Sequence, residues 1–346
     1  MNFNFFSNIE SLPLLLALYI SLAAIVVTAS IYLSKYVDAL DKKTNLSGAF
    51  IGGVILAAVT SLPELFTSVT AVIILSQAEL VQGNVYGSNI FNFTIIGICV
   101  LISLKNFKEA KISKAHNKTL IFTIIMFILS LIGIYIPQNY AVPIIITKVN
   151  IISILLITLY IINIKTAKND DISSNDKKSA VNLTVKEIIT RFILFSVILV
   201  IISILLTQAT DSLSERLSLG KTVAGAVFLG IATSLPELTS SINLVRLKNF
   251  NASIGNITGS NLFNFTVLSL GDILYRNGSI YNTYESETGF AEITKANTGS
   301  IMLILFAIAS SILSLMILKF RENSPASIIL AFAIIASYIL GIAFSM

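Results

Sequence analysis

Long hydrophobic runs separated by short polar breaks fill most of the chain. Each run has about 20 residues or more, the length that a helix needs to cross the hydrocarbon core of a bilayer. One long polar stretch, residues 165–186, interrupts the series and is typical of a linker. The pattern predicts ten membrane-spanning helices, five before the linker and five after it, at 12–34, 47–76, 84–104, 119–137, 141–164, 188–208, 219–245, 254–275, 297–319 and 326–345.

Composition supports an all-α integral membrane protein. Of 346 residues, 55% are hydrophobic and only 12% are charged, about half the charged fraction of a soluble domain. The single cysteine, Cys99, excludes a disulfide framework, and the single histidine, His116, excludes a multi-histidine metal site.

The distribution of positive charge predicts the orientation of the chain. If the ten runs alternate in direction, 18 of the 23 Lys and Arg residues fall on one side of the membrane. Cytoplasmic loops carry such an excess, so we place this side in the cytoplasm and both termini outside. The net charge of +5 then reflects orientation in a plasma (inner) membrane and does not indicate a nucleic-acid partner.

The two halves of the chain repeat each other. The hexapeptide TSLPEL occurs at 60–65 and 233–238, and GNVYGSNIFNFT at 83–94 returns as GNITGSNLFNFT at 255–266, identical at nine of twelve positions. We therefore divide the chain into a repeat at 1–164, the linker at 165–186 and a second repeat at 187–346. Because each repeat has five spans, the second is inverted, an arrangement typical of secondary transporters; a duplicated scaffold without transport is the alternative.

Two acidic residues stand out because they lie in the middle of hydrophobic runs. Glu64 and Glu237 occupy the same place in the two TSLPEL motifs. A charge at this depth costs several kcal/mol unless it is paired or hydrated, and no Lys, Arg or His stands at the same depth. A cation from solution is the simplest partner. Asp272, late in its run, is expected at the membrane interface instead.

Neutral oxygen donors surround the two glutamates. Pro63 and Pro236 remove backbone N–H groups and are expected to unwind both spans around TSLP, leaving main-chain carbonyls bare about one turn earlier. Such hard oxygen ligands suit Ca²⁺, Mg²⁺ and Na⁺. The candidate ligands are Glu64, Thr60, Ser61, Ser88, Asn92 and the Ala57 carbonyl in the first repeat, and Glu237, Thr233, Ser234, Ser260, Asn264 and the Gly230 carbonyl in the second.

The paired TSLPEL and GSN-x-F-N blocks resemble the α-repeats of the cation/Ca²⁺ exchanger superfamily, in the pattern of prokaryotic Na⁺/Ca²⁺ exchangers. The resemblance covers the whole ten-span layout and implies a non-enzymatic antiporter that works by alternating access. It implies that the twelve candidate ligands line the ion sites and that the runs 12–34 and 188–208 form the moving gate. No cofactor is implied beyond the transported Ca²⁺ and Na⁺ (or H⁺), and no protein partner beyond membrane lipid and inorganic cations.

Two departures from the family pattern are present, the first affecting local backbone freedom and the second weakening the case for Na⁺ as the counter-ion. Val59 and Ala232 stand where glycine is common, and Asn264 stands where many Na⁺-coupled members carry aspartate. Two carboxylates balance one Ca²⁺, two Na⁺ or two protons. The TSLPEL and GSN pattern favours Ca²⁺/Na⁺ exchange, with Ca²⁺/H⁺ exchange as the alternative; an ion channel and an intramembrane hydrolase fit the sequence less well.

Overall fold

Long helices account for most of the fold. The computed structural model describes residues 4–44, 57–136, 142–144, 147–167, 183–281 and 289–346. The two short strands, β1 (Val142–Ile144) and β2 (Thr147–Val149), pair antiparallel. The helices are α1 (Leu12–Thr44), α2 (Leu62–Ile73), α3 (Ala78–Ile102), α4 (Leu104–Glu109), α5 (Ala115–Ile134), α6 (Ile151–Ala167), α7 (Val185–Arg216), α8 (Lys221–Ala224), α9 (Gly230–Arg246), α10 (Phe250–Leu274), α11 (Phe290–Ala296), α12 (Thr298–Lys319) and α13 (Ser324–Ser345), with a π-helical turn at Gly225–Leu229 between α8 and α9.

Among the described residues, seven segments are long and apolar enough to cross a membrane: Leu12–Leu33, Ala78–Ile102, Ala115–Ile134, Val185–Arg216, Lys221–Arg246, Thr298–Lys319 and Ser324–Ser345. Three helices at the other predicted runs are not among these segments. Helices α2 and α6 are apolar but shorter, and α10 has 25 residues but many polar ones. The prediction of a helical, multi-pass membrane protein is confirmed. Residues 47–56, the first part of the second predicted run, and most of the predicted linker lie outside the described residues.

The centre of the bundle is formed by the two helices that carry the GSN motifs. Of the 25 residues of α3, 20 are buried, and α10 crosses beside it with its own polar residues buried as well. Around these two helices, one large apolar cluster includes Phe93, Phe127 and Phe265. Their small and polar residues therefore face protein rather than lipid, which explains why α10 is too polar to rank among the apolar spans.

Helices α1 and α7 pack side by side and share apolar clusters smaller than the central one, the larger of which also includes Val59, Leu229 and Ala232. One cluster joins Val26 and Leu33 of α1 to Leu199 and Leu206 of α7. Much of the remaining α7 surface is exposed, as expected of a helix that faces lipid. This pair touches the rest of the bundle mainly through α2 and α9. The α1–α7 pair is thus a separate layer beside the central helices.

The two termini lie at the same end of the bundle. Asn4 donates a hydrogen bond to the carboxylate of Asp211 at 3.3 Å, and Lys221 pairs with the same carboxylate at 2.6 Å. Close to Lys221, Gly299 packs against the side chain of Thr222 and the carbonyl of Ser345.

The predicted start of the fifth span is wrong. Residues 141–150 were included in a helix, but the structure has the β1–β2 hairpin there, and α6 begins only at Ile151. Six of the eight residues at 142–149 are β-branched and the second is a proline, a composition that favours strands over helix. The high hydrophobicity of the segment concealed this local preference.

Asp272 is buried rather than interfacial, which corrects the expectation from its position in the run. Its carboxylate is fully inaccessible to solvent. It accepts hydrogen bonds from the backbone N–H groups of Asn150 and Ile280 at 2.8 and 2.9 Å, and from the hydroxyls of Ser153 and Ser279 at 2.8 and 3.0 Å. One carboxylate therefore fastens the start of α6 and the loop after α10 to the end of α10.

Substitution of this anchor should destabilise the protein. Asp272→Ala leaves three buried donors without an acceptor, because of the four only the Ser153 hydroxyl has a second one, the Tyr281 hydroxyl at 3.2 Å, and each such group costs about 1–3 kcal/mol. We expect a markedly lower thermal unfolding temperature in detergent, with Asp272→Asn less affected because an amide oxygen still accepts. Glu292→Ala, at an exposed position, is the matched control. Equal unfolding temperatures for Asp272→Ala and the control would contradict this role.

Candidate cation site

The two carboxylates of the TSLPEL motifs meet inside the bundle, where each is held by a serine from the opposite repeat. The Ser61 hydroxyl donates to Oε1 of Glu237 at 3.0 Å, and the Ser234 hydroxyl donates to Oε1 of Glu64 at 3.0 Å. Both carboxylates are inaccessible to solvent and close enough for their charges to interact. The repeats thus interlock through a symmetric exchange of hydrogen bonds.

The backbone around Glu64 is interrupted at Ser61 alone, so the expected unwinding of the whole TSLP segment is not present. Residues 57–60 are helical, Ser61 forms a turn, and α2 begins at Leu62 with Pro63 in its first turn, where a proline costs no hydrogen bond. Glu64 therefore lies at a helix N-terminus, where the aligned peptide dipoles favour a negative charge.

The backbone around Glu237 does not follow the same expectation. Helix α9 continues through Pro236 without interruption, so the predicted unwinding is wrong for the second repeat. Instead, the irregularity lies two or more turns before Pro236, as the π-helical turn Gly225–Leu229. Tyr19 of α1 donates its hydroxyl to the carbonyl of Phe228 in this turn at 2.6 Å. A wide turn leaves carbonyls poorly paired within the helix, and here a side chain from α1 satisfies one of them.

The main-chain carbonyls of Ala57 and Gly230 lie at the site but are not bare. The carbonyl of Ala57 accepts from the Ser61 backbone N–H and from the Thr60 hydroxyl, both at 3.1 Å. The carbonyl of Gly230 accepts from the Ser88 hydroxyl at 3.3 Å. The expectation of free carbonyls is therefore wrong for this conformation, and a cation could use them only after a hydroxyl turned away.

One GSN helix, α10, brings a further candidate ligand, Ser260, to a carboxylate. On α10, the Ser260 hydroxyl donates to Oε1 of Glu237 at 3.2 Å and lies 3.4 Å from the Thr60 hydroxyl. Asn264 follows one turn later on the same face. On α3, Ser88 and Asn92 have the same spacing. Thr233 differs, because its hydroxyl donates to the Leu229 carbonyl of its own helix at 2.9 Å.

Helix α3 reaches α9 and the π-helical turn because glycines remove the side chains between them. A Cβ atom on Gly87 would lie 2.5 Å from Cα of Ala226, and one on Gly83 would lie 2.0 Å from the carbonyl oxygen of Thr222. Both distances are shorter than real contacts allow. Glycine at these positions therefore permits the backbone approach that places Ser88 beside Gly230.

Four oxygen atoms at the site have no hydrogen-bond partner among the described residues. They belong to four of the candidate ligands and are Oε2 of Glu64, Oε2 of Glu237, Oδ1 of Asn92 and Oδ1 of Asn264. Among the residues that the structure describes, no Lys, Arg or His lies within ion-pair distance of the Glu64 or Glu237 carboxylate. A buried polar atom without a partner costs about 1–3 kcal/mol, and a charged one costs more. A cation bound at the two carboxylates would remove that cost for their oxygens.

The site is closed and rich in neutral oxygen atoms. All twelve candidate ligands are buried. Within the described ranges, no three His, Cys, Asp or Glu side chains cluster as a metal centre, so Glu64 and Glu237 would share a cation with hydroxyl, amide and carbonyl oxygens. This donor set fits hard cations such as Ca²⁺ and Na⁺ and lacks the soft ligands that zinc or copper prefer.

Three asparagines at the site are not among the ligands predicted from the sequence. Asn84 donates to the Glu64 carbonyl at 3.2 Å and to the hydroxyls of Thr67 and Ser68 at 3.0 and 2.9 Å. Asn89 and Asn261 bond to the candidate ligands Asn264 and Asn92. A signal was present, because all three are identical in the two copies of the GN-x-x-GSN block.

Comparison with known proteins agrees with this fold. In solved structures, the chain is similar to an H⁺/Ca²⁺ exchanger, CAX (TM-score 0.63, 15% identity, covering 96% of this chain and 90% of that one). It is also similar to the sodium-calcium exchanger NCX_Mj soaked with 10 mM Na⁺ and zero Ca²⁺ (0.59, 21%, 95% and 98%), and to native YfkE (0.62, 15%, 95% and 92%). No curated protein matches the sequence.

The family comparison covers both halves of the chain. The model of the family described as sodium/calcium exchanger protein matches residues 14–166 and 188–346, leaving out the polar segment between them. Each match contains one TSLPEL motif and one GSN motif. The chain therefore belongs to the sodium/calcium exchanger protein family, within the cation/Ca²⁺ exchanger superfamily.

Proposed function

We propose that this protein is a secondary antiporter that exchanges Ca²⁺ for Na⁺ at a site between its two repeats. The observation that carries the proposal is the set of four buried oxygens without partners on Glu64, Glu237, Asn92 and Asn264. Ca²⁺ in proteins takes six to eight oxygen ligands at about 2.3–2.6 Å. The hydroxyls of Ser61, Ser234 and Ser260 and the carbonyls of Ala57 and Gly230 complete the shell.

Charge balance supports exchange rather than permanent binding. Two carboxylates neutralise one Ca²⁺, and they also neutralise two Na⁺, with any further Na⁺ held by neutral oxygens. The empty site keeps two buried charges without a partner, which is costly in a low-dielectric interior. The protein therefore does not readily switch between its outward-open and inward-open states while the site is empty. Because only the loaded protein switches, the outward movement of one ion is coupled to the inward movement of the other.

The proposed topology has two inverted five-helix repeats, 1–164 and 187–346, joined by a cytoplasmic linker at 165–186. Both termini lie outside a plasma (inner) membrane, because the Lys and Arg excess marks the other side as cytoplasmic. The α1–α7 pair is the moving gate. Its separate apolar clusters support this assignment, since a layer that shares little of the main core can shift without repacking it.

Ca²⁺/H⁺ exchange is the second candidate. The observation in its favour is that the site has only two acidic side chains, both buried, and that position 264 carries an amide. Two protons on Glu64 and Glu237 would balance one Ca²⁺ without any Na⁺ ligand. The structural likeness to CAX is compatible with this alternative.

Reconstituted transport distinguishes the two candidates. We expect ⁴⁵Ca²⁺ uptake into proteoliposomes when Na⁺ is loaded inside and diluted outside, with saturation in both ions. With Na⁺-free buffers and an imposed pH gradient, we expect uptake no higher than in protein-free vesicles. Robust uptake under the pH gradient alone would replace Na⁺ with H⁺ in the proposal, and uptake under neither gradient would contradict exchange of Ca²⁺.

A further inference from the structure

Two asparagines outside the candidate ligand set bond to ligand amides across the boundary between the repeats. Nδ2 of Asn92 donates to Oδ1 of Asn261 at 2.9 Å, and Nδ2 of Asn264 donates to Oδ1 of Asn89 at 2.8 Å. All four side chains are inaccessible to solvent. Each ligand amide is therefore paired with the asparagine that follows the ligand serine in the other repeat.

These hydrogen bonds decide which end of each ligand amide is available to a cation. A primary amide has an oxygen that binds cations and an NH₂ group that repels them, and the two ends have nearly the same size. Because Asn261 and Asn89 accept from the NH₂ groups, the oxygens of Asn92 and Asn264 are turned elsewhere. These oxygens are two of the four without a partner among the described residues.

We propose that Asn89 and Asn261 are positioning residues that orient the ligand amides of Asn264 and Asn92 and so set the affinity of the site for Ca²⁺. This inference rests on the proposed function. Neither asparagine needs to touch the ion, since each acts through the amide that it holds. Loss of a residue that holds a metal ligand by a hydrogen bond typically lowers metal affinity by about 10- to 100-fold.

The two repeats differ in how firmly the amide is held. Nδ2 of Asn261 donates to the main-chain carbonyl of Asn89 at 3.3 Å, so Asn261 must keep its oxygen toward Asn92. Nδ2 of Asn89 has no such partner in the described part of the chain. The Asn89–Asn264 pair can therefore turn over together and keep its mutual hydrogen bond. Asn92 always presents oxygen, whereas Asn264 can present oxygen to a bound cation or NH₂ to the emptied site.

The test compares substitutions of Asn261 that keep or remove the acceptor. Asn261→Leu has a similar size but accepts no hydrogen bond, so we expect the KM for Ca²⁺ to rise about 10- to 100-fold with little change in maximal rate. Asn261→Asp still accepts from Asn92, so its KM should not exceed that of the wild type. Asn89→Leu should raise KM less than Asn261→Leu, because Asn264 already has two orientations.

Asn163→Leu is the matched control. Asn163 is a buried asparagine of α6, and its Nδ2 has no partner among the described residues; its substitution should leave KM unchanged. If Asn261→Leu does not fold, Asn261→Ala gives the same comparison. An unchanged KM in the Leu or Ala variant, or an equal rise in Asn261→Asp, would overturn the positioning role. Failure of the proposed function is distinguishable, because the wild type would then take up no Ca²⁺ under either gradient.

Discussion

Glu64→Gln and Glu237→Gln should each abolish Ca²⁺ transport and leave a folded protein. Each substitution removes one of the two negative charges that would face the divalent ion. Removal of one partner from a buried charge pair costs about 3–5 kcal/mol, and 3 kcal/mol corresponds to more than about a 100-fold loss of affinity. The amide oxygen of glutamine can still accept the serine hydrogen bond from the other repeat, so the helices should remain packed.

The measurement is ⁴⁵Ca²⁺ uptake driven by a Na⁺ gradient, with thermal unfolding in detergent as the check on folding. Glu79→Gln is the control, because Glu79 lies in the first turn of α3 with its side chain exposed. It removes the same charge without touching the site. Full exchange in either site variant would refute a site with two carboxylates, whereas unfolding of both would assign the carboxylates a structural role.

Gly87→Ala should damage both the fold and transport, although it adds only one methyl group. Its Cβ would lie 2.5 Å from Cα and 2.7 Å from Cβ of Ala226, so α3 must move away from the π-helical turn. Overpacking of this kind costs about 1–3 kcal/mol. The shift would also separate Ser88 from the carbonyl of Gly230, so we expect a lower unfolding temperature and a strong loss of ⁴⁵Ca²⁺ uptake.

Gly220→Ala is the control for this substitution. A Cβ on Gly220 would meet no atom within 4 Å, and its backbone at φ −58° suits alanine. We expect its stability and transport to match the wild type. If Gly87→Ala behaved in the same way, the close approach of α3 to the π-helical turn would not be required for the site.

Much of the site follows from the sequence because the repeat doubles each signal. A single glutamate after a proline is weak evidence for an ion site, but Glu64 and Glu237 in identical motifs predict a symmetric pair. The spacing of Ser88 and Asn92 follows from helix geometry alone. The repeat does not reveal which hydrogen bonds the buried amides form with one another. The pairing of Asn89 and Asn261 with the predicted ligands therefore does not follow from the sequence.

The errors of the sequence analysis have local physical causes. Hydrophobicity registers how apolar a segment is but not whether its residues are β-branched, so the hairpin before α6 was read as helix. The prolines were expected to act alike in both repeats. However, Pro63 follows a turn, whereas Pro236 lies inside a continuous helix and the irregularity falls at Gly225–Leu229. Identical hexapeptides therefore differ in structure because their surroundings differ.

The length of the outer helix pair has a consequence for the lipid around the protein. Helices α1 and α7 have 33 and 32 residues, about 50 Å each at 1.5 Å per residue, whereas the hydrocarbon core is about 30 Å thick. Each helix has surplus length beyond the bilayer. An overlong helix can slide along the membrane normal or change its tilt without drawing a bare end into the hydrocarbon. In thicker membranes this surplus shrinks, so bilayer thickness would set how much spare length is left to the proposed gate.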